Sequence, residues 1–168
     1  MKNVNVKKMS SVYETRLMTK DDVSIIYNLC VKNKLYYKYF HEDITKELVE
    51  EDLTITPPGI SIAQKYYMGF FKGDTLVAVM DLIDGYPKEE IAFIGFFMMN
   101  TEFQGKEAGS SIISEVMSYL KEIGFSTVRL AIIKENPQAT HFWAKNKFEV
   151  IDEVKRGEEN VLIAERKL

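Results

Sequence analysis

The chain has 168 residues, a formal net charge of −3, and 46% hydrophobic and 12% aromatic residues. Such a length fits one domain with a packed core and excludes a disordered chain, and the slight acidity offers nucleic acid no basic face. The longest apolar run, Ile91 to Met99, is half of what a bilayer-spanning helix needs, and the lone Cys30 excludes an internal disulfide, so the expectation is a soluble cytoplasmic protein.

Residues 1–10 carry lysines but no apolar signal core, and read as a flexible lead-in to a single domain over 11–168. Val12 to Met18 is the first predicted strand. Thr19 then caps a helix, with Asp22 three residues on as an imperfect capping box. Val23, Ile26, Tyr27 and Cys30 share one face of that helix, so Cys30 reads as core and not as a nucleophile. Thr45 to Leu53 is a second predicted helix, stopped by Thr56-Pro57-Pro58-Gly59.

Tyr66 to Phe71 and Leu76 to Ile83 are predicted strands joined by a hairpin turn at Lys72-Gly73-Asp74. After the turn Asp84-Gly85-Tyr86-Pro87, Ile91 to Met99 is apolar on both faces, which places it centrally with both sides covered. A one-sided helix follows from Glu107 to Ile123, with Ile112, Ile113, Val116, Met117, Leu120 and Ile123 on its apolar face and Gly124 ending it. Thr127 to Ile133 is the next strand, and strand–helix–strand order favours a parallel pair. Pro137 starts a short helix with Ala139, Phe142 and Trp143 inward. Phe148 to Val154 and Val161 to Glu165 close the chain as an antiparallel pair around Arg156-Gly157. The expected fold is a mixed α/β (α+β) one, with a mixed sheet and helices on both faces.

The turn from Gln104 through Gly105, Lys106, Glu107, Ala108 and Gly109 to Ser110 joins the central strand to the one-sided helix. A helix start leaves about four N–H groups without intrahelical partners and carries roughly half a positive charge. Gly105 and Gly109 let the backbone approach a ligand, and Lys106 adds a mobile cation. This is an anion seat at the end of a buried strand, against the plainer reading of an ordinary strand-to-helix turn. It is not a Walker loop, since no Gly-Lys-Ser/Thr ending is present.

Two motifs resemble the GCN5-related N-acetyltransferase (GNAT) superfamily, and the likeness spans roughly Val12 to Val154. Gln104 and Gly109 match the ends of its phosphate signature (Gln or Arg, two residues, Gly, one residue, Gly or Ala). Asn136, Ala139, Phe142 and Phe148 match its second motif, an Asn, an Ala and an aromatic pair followed by Gly-Phe. The chain departs at Glu107, where the signature has Gly, at Trp143, where Tyr is usual, and at Lys147, where Gly precedes the final Phe. The resemblance implies a GNAT-like, mostly antiparallel sheet of six to seven strands with one parallel pair around the cofactor helix. It implies acetyl-CoA as cosubstrate, with its pantetheine arm along Phe97, Met98 and Met99, its pyrophosphate on residues 104–110, and contacts from Asn136 and Trp143. Core packing is the competing role for Trp143, and a plain helix-start turn for Asn136.

The implied reaction is acetyl transfer to a primary amine of a small molecule or peptide, with no metal. Indole cannot act as the acid a tyrosine provides, and Phe93 stands where some relatives place a basic glutamate. Asp81, Asp84 and Glu90 remain as carboxylates for deprotonation. Asp81 is the candidate because it interrupts an apolar strand, and a salt-bridged strand residue is its plainer reading. His41 and His141 show no metal-ligand spacing and read as surface residues. Tyr36, Tyr37, Tyr39 and Phe40 fit an acceptor pocket, as the resemblance implies for this region, or else simple packing or a homodimer contact. Glu47, Glu50, Glu51 and Asp52 read as a solvated acidic face, with attraction of a cationic amine as the alternative. The alternative to an enzyme is a non-catalytic acyl-CoA-binding module on the same fold.

Overall fold

The computed structural model describes residues 1–40 and 42–168, so His41 lies outside the described residues. Seven strands form one sheet: β1 (Glu14–Leu17), β2 (Lys65–Lys72), β3 (Thr75–Asp84), β4 (Ile91–Met99), β5 (Thr127–Ile133), β6 (Glu149–Arg156) and β7 (Glu159–Lys167). Their order is β1-β2-β3-β4-β5-β7-β6, antiparallel everywhere except between β4 and β5. That parallel pair flanks the helix between them, α4 (Ala108–Glu122), as the strand–helix–strand order requires.

Strand side chains alternate between faces, and here neighbouring residues feed different cores. Met80 and Leu82 join Ile112, Ile113, Val116 and Leu120 of α4, together with Trp143 from α5 (Pro137–Lys145). Val79 instead packs with Ile26 and Cys30 of α1 (Val23–Val31) and Val49 of α3 (Lys46–Asp52). Helices therefore cover both faces. Among the described residues no helix is long and apolar enough to cross a membrane.

Local signals account for most boundaries. Thr45 caps α3 by accepting from the Leu48 N–H at 3.2 Å. Asp22 does complete a capping box with Thr19, and its carboxylate also takes both Arg16 guanidinium nitrogens at 2.9 and 2.8 Å. α4 closes with the Phe125 N–H on Leu120 O and the Gly124 N–H on Lys121 O, both at 3.0 Å, and Gly124 has φ +91°. α5 ends with the same pair of bonds: Phe148 N–H to Trp143 O at 3.0 Å and Lys147 N–H to Ala144 O at 2.9 Å. There the left-handed residue is Lys147, at φ +66°, held by packing of the Phe148 ring on Trp143 at 5.1 Å.

Two segments differ from expectation. The lead-in expected to be flexible carries packed side chains, with Met9 fully buried and Val4 nearly so. Its backbone is also tied down: the Lys2 N–H donates to Asp84 at 2.7 Å and the Asn5 N–H to the Tyr119 hydroxyl at 2.8 Å. The lysines on either side of these apolar residues hide that docking in the sequence. The aromatic tract after α1 forms a further helix, α2 (Lys34–Phe40), where Tyr36 stacks on Phe40 one turn away at 5.9 Å.

Candidate functional site

β4 and β5 pair only from Ile91–Thr127 to Ile94–Leu130, and beyond that they separate. The cause sits on the other edge of β4. Asp81 faces Phe96 while Leu82 faces Ile94, so Gly95 is the extra residue of a bulge. A Cβ at Gly95 would lie 2.7 Å from Asp81 Oδ2, so only glycine fits there without moving the carboxylate. Past the bulge, Phe97 turns to Phe142 at 5.9 Å, whereas Phe96 turns to Tyr36, also at 5.9 Å. The gap between the strands thus opens towards α4 and α5 on one side and towards α2 on the other.

On the first side lies the turn at 104–110, the candidate anion seat. Gly105 and Glu107 both adopt left-handed backbone, at φ +69° and +61°. The turn they make leads into α4, whose first N–H groups have no intrahelical partners. Gly109 allows α5 to close on this point, since a Cβ would meet the Phe142 ring at 3.2 Å and Met99 Cγ at 3.5 Å. The Glu107 carboxylate is drawn across to the Lys145 ammonium at 2.6 Å, which balances the negative charge that departs from the motif. Lys106 folds back onto Glu102 O at 2.9 Å, and the Ser110 hydroxyl accepts from Asn146 at 3.2 Å.

The remaining residues singled out in the sequence serve the scaffold around the seat. Gln104 Nε2 donates to Asn33 Oδ1 at 2.7 Å and to Met99 O at 3.3 Å, tying the turn to the end of α1. Asn136 is buried and caps α5 by accepting from the Ala139 N–H at 3.1 Å, while its own N–H donates to Ile133 O of β5 at 3.0 Å. Trp143 is buried among Phe97, Phe142 and Phe148. Phe97, Met99, Gly109 and the aromatic pair of α5 are brought together; Asn136 is not seen to touch the seat. His141 is exposed.

On the other side is a cleft of about 1000 Å³. Tyr36, Tyr37 and Phe40 of α2 form one wall, and Ile151 and Val154 of β6 the opposite one, with Asp81 and Gly95 at the opening between the strands. Asp81 Oδ2 accepts from Lys65 Nζ at 2.7 Å, and the Lys65 side chain is only 1% exposed. Asp81 Oδ1 is buried with no partner. Burial pushes the Asp81 carboxyl up from its ordinary range, against the pull of the Lys65 ammonium. Asp52, on the α2–α3 side, keeps part of its side chain open to solvent; enclosure by the surrounding protein pushes its carboxyl up to about 6, again opposed by Lys65. Asp84 is fully buried and held by the Lys2 N–H. Cys30, beneath Tyr37, is pushed up to about 11 by burial and remains a thiol.

Sequence reasoning missed Lys65, Asp52 as a cleft residue, and the β6–β7 wall. A lysine opening a strand gives no local signal, and the wall exists only through the sheet order. The arrangement sets a candidate main-chain anion seat and a cleft lined by a carboxylate with one buried, unpartnered oxygen on the two sides of a gap between strands.

The model of the Acetyltransferase (GNAT) family matches residues 29–148. No curated protein matches the chain. Among solved structures the chain is similar to an acetyltransferase from Thermus thermophilus, at 22% identity and a TM-score of 0.72, covering 94% of this chain and 97% of that one. It is similar to the Salmonella typhimurium acetyl transferase that modifies the N-terminal serine of 50S ribosomal subunit protein L7/L12, at 17% identity and TM-score 0.74, covering 95% and 97%. It also resembles the paia N-acetyltransferase from Thermoplasma acidophilum in complex with coenzyme A, at 18% identity and TM-score 0.66, covering 92% and 98%. At these identities the structural likeness is one of fold.

Proposed function

The chain belongs to the GNAT acetyltransferase family, and on that premise we propose that it transfers an acetyl group from acetyl-CoA directly to a primary amine bound in the cleft. The residues present fit a nucleotide thioester. α4 begins beside two left-handed turn residues, where a helix leaves its first N–H groups unpaired, Gly105 borders open space, and the Glu107 charge is matched by Lys145. Bound acetyl-CoA supplies an activated acyl carbon and a thiol leaving group with a pKa of about 8.5.

The chain's own residues then divide the work. Residues 104–110 hold the diphosphate by main-chain donors. The β4 edge at Phe97, Met98 and Met99, no longer paired with β5, orients the thioester oxygen. Trp143 offers no usable acid, so the sulfur departs without help from that position. Asp81 Oδ1 takes a proton from the incoming ammonium, whose ordinary pKa of about 10.4 keeps it unreactive at neutral pH. The observation that carries this reading is Asp81 Oδ1, left without a partner on a carboxylate whose other oxygen, Oδ2, is held by Lys65 beside the Gly95 bulge.

The cleft also favours a positively charged acceptor. Glu42, Asp52 and Asp152 line it against Arg156, while Arg129 is taken by Glu165. Structural neighbours include an enzyme named for a protein N-terminus and a chimera of a spermidine N-acetyltransferase, so peptides and polyamines belong in the same test. The second reading, a binding module without turnover, is favoured by the buried Trp143, which replaces an acid. Free-thiol release from acetyl-CoA, followed with polyamines, amino acids and peptides, separates the two. Release that falls at least about 100-fold in Asp81→Asn with CoA affinity unchanged is expected for a base in this role. No release with any acceptor, in protein that binds CoA by calorimetry, would refute catalysis.

A further inference from the structure

The ion pair beneath the cleft is built unlike a pair that serves stability alone. Lys65 is almost wholly enclosed, its side chain 1% exposed and that of Asp81 13%. Attraction offsets the desolvation of two buried charges only when their remaining lone pairs and protons are also satisfied. Here one carboxylate oxygen, Oδ2, takes Lys65 Nζ at 2.7 Å, while the other, Oδ1, is buried without a partner. The strand alongside is shaped around the same group, since Gly95 is the one residue of the bulge and a Cβ there would press on Oδ2. Asp81 and Gly95 both line the cleft, whereas Lys65 reaches the pair from beneath.

Resting on the reading of Asp81 as proton acceptor, we propose that Lys65 is a positioning residue for the transfer: its ammonium pins Oδ2 at the Gly95 bulge and leaves Oδ1 as the oxygen that meets the acceptor amine. An N–H bond of the acceptor ammonium breaks, its electron pair stays on nitrogen, and the proton goes to Oδ1. Asp81 then stands as a neutral acid beside the Lys65 cation, and the proton leaves through the open cleft to solvent.

The charged and titratable groups around Asp81 come from two elements. β2 contributes Lys65 and Tyr67, and Tyr67 is held neutral by burial. α3 contributes Asp52, a like charge. β4 presents only Gly95 and Phe96. Lys65 is therefore the cation that opposes protonation of Asp81, and without it two carboxylates share the same space.

The test is the pH dependence of kcat/KM in the wild type, Lys65→Met and Lys65→Arg, with the Asp81 carboxyl carbon titrated in parallel by NMR on each protein without substrate. A carboxylate base gives an acid limb, with activity lost as pH falls through its pKa. Lys65→Met is expected to move that limb to higher pH by about one unit or more. The Asp81 resonance should move with it while CoA affinity holds, and Lys65→Arg should return both towards the wild type. Lys65→Gln, which keeps a donor to Oδ2 but loses the charge, serves if Lys65→Met does not fold. An acid limb and a resonance unmoved in a folded variant would overturn the proposal. If no amine gives thiol release, the acetyl-transfer reading fails on its own, and the resonance still decides for or against control of the carboxylate by Lys65.

Discussion

Replacing Lys147 by glycine should make the protein more stable although it removes a whole side chain. Lys147 closes α5 at φ +66°, where an L-residue pays about 1–2 kcal/mol for its Cβ. Glycine removes that strain but adds about 0.4–1 kcal/mol of conformational freedom to the unfolded chain. The exposed lysine side chain makes no hydrogen bond or ion pair among the described residues, so nothing else is lost. The net gain is about 0.5–1 kcal/mol, or a Tm higher by about 1–4 °C for a chain of this size. Urea denaturation followed by circular dichroism, with scanning calorimetry beside it, measures both. The reverse change at the matching position of α4, Gly124→Ala at φ +91°, is the control and should destabilise by about 1 kcal/mol or more. A Lys147→Gly protein that is no more stable than the wild type would refute the left-handed closure of α5 and the strain assigned to it.

Glu107→Gly removes the same kind of strain and a carboxylate from the anion seat, at the loss of an exposed ion pair with Lys145. Isothermal titration calorimetry should show CoA bound about 2–5-fold more tightly, the scale of a charge at a helix end, and unchanged or weaker binding would count against residues 104–110 as the diphosphate site. Met9→Ala tests the docked N-terminal segment: with the side chain fully buried it should cost about 2–5 kcal/mol in urea, whereas a cost under about 0.5 kcal/mol would mean that the segment is frayed in solution.

Much of the architecture was legible because its signals are local. The apolar run of β4, the one-sided α4, Gly124 and Pro137 each mark a boundary by its own chemistry, and the order of elements then implies the parallel pair. The turn at 104–110 was legible for the same reason, as a glycine-flanked link between strand and helix. The cleft was not. Counting back from the hairpin pair Lys72–Thr75 would set Tyr66 opposite Asp81. A bulge between Phe70 and Phe71 shifts the register, so that Tyr67 faces Asp81 and Lys65 comes to its side of the sheet. No residue near Lys65 announces that shift. Gly95 likewise reads as one small residue in an apolar run, and only the pairing on both edges of β4 reveals it as the bulge beside the carboxylate. Glu107 and Lys147 were visible as departures from a motif, but their positive φ values, which explain why glycine is usual there, belong to the folded backbone.

The enclosure of Cys30 gives this protein a built-in reporter. Its thiol is 1% exposed and pushed up to about 11, so at neutral pH almost none is present as reactive thiolate. A colorimetric thiol reagent added to a turnover mixture will therefore count product alone, free of background from the native polypeptide. Labelling at that position requires the layer of α1 and α3 to lift from the sheet, and its rate in the absence of product measures how often that layer opens.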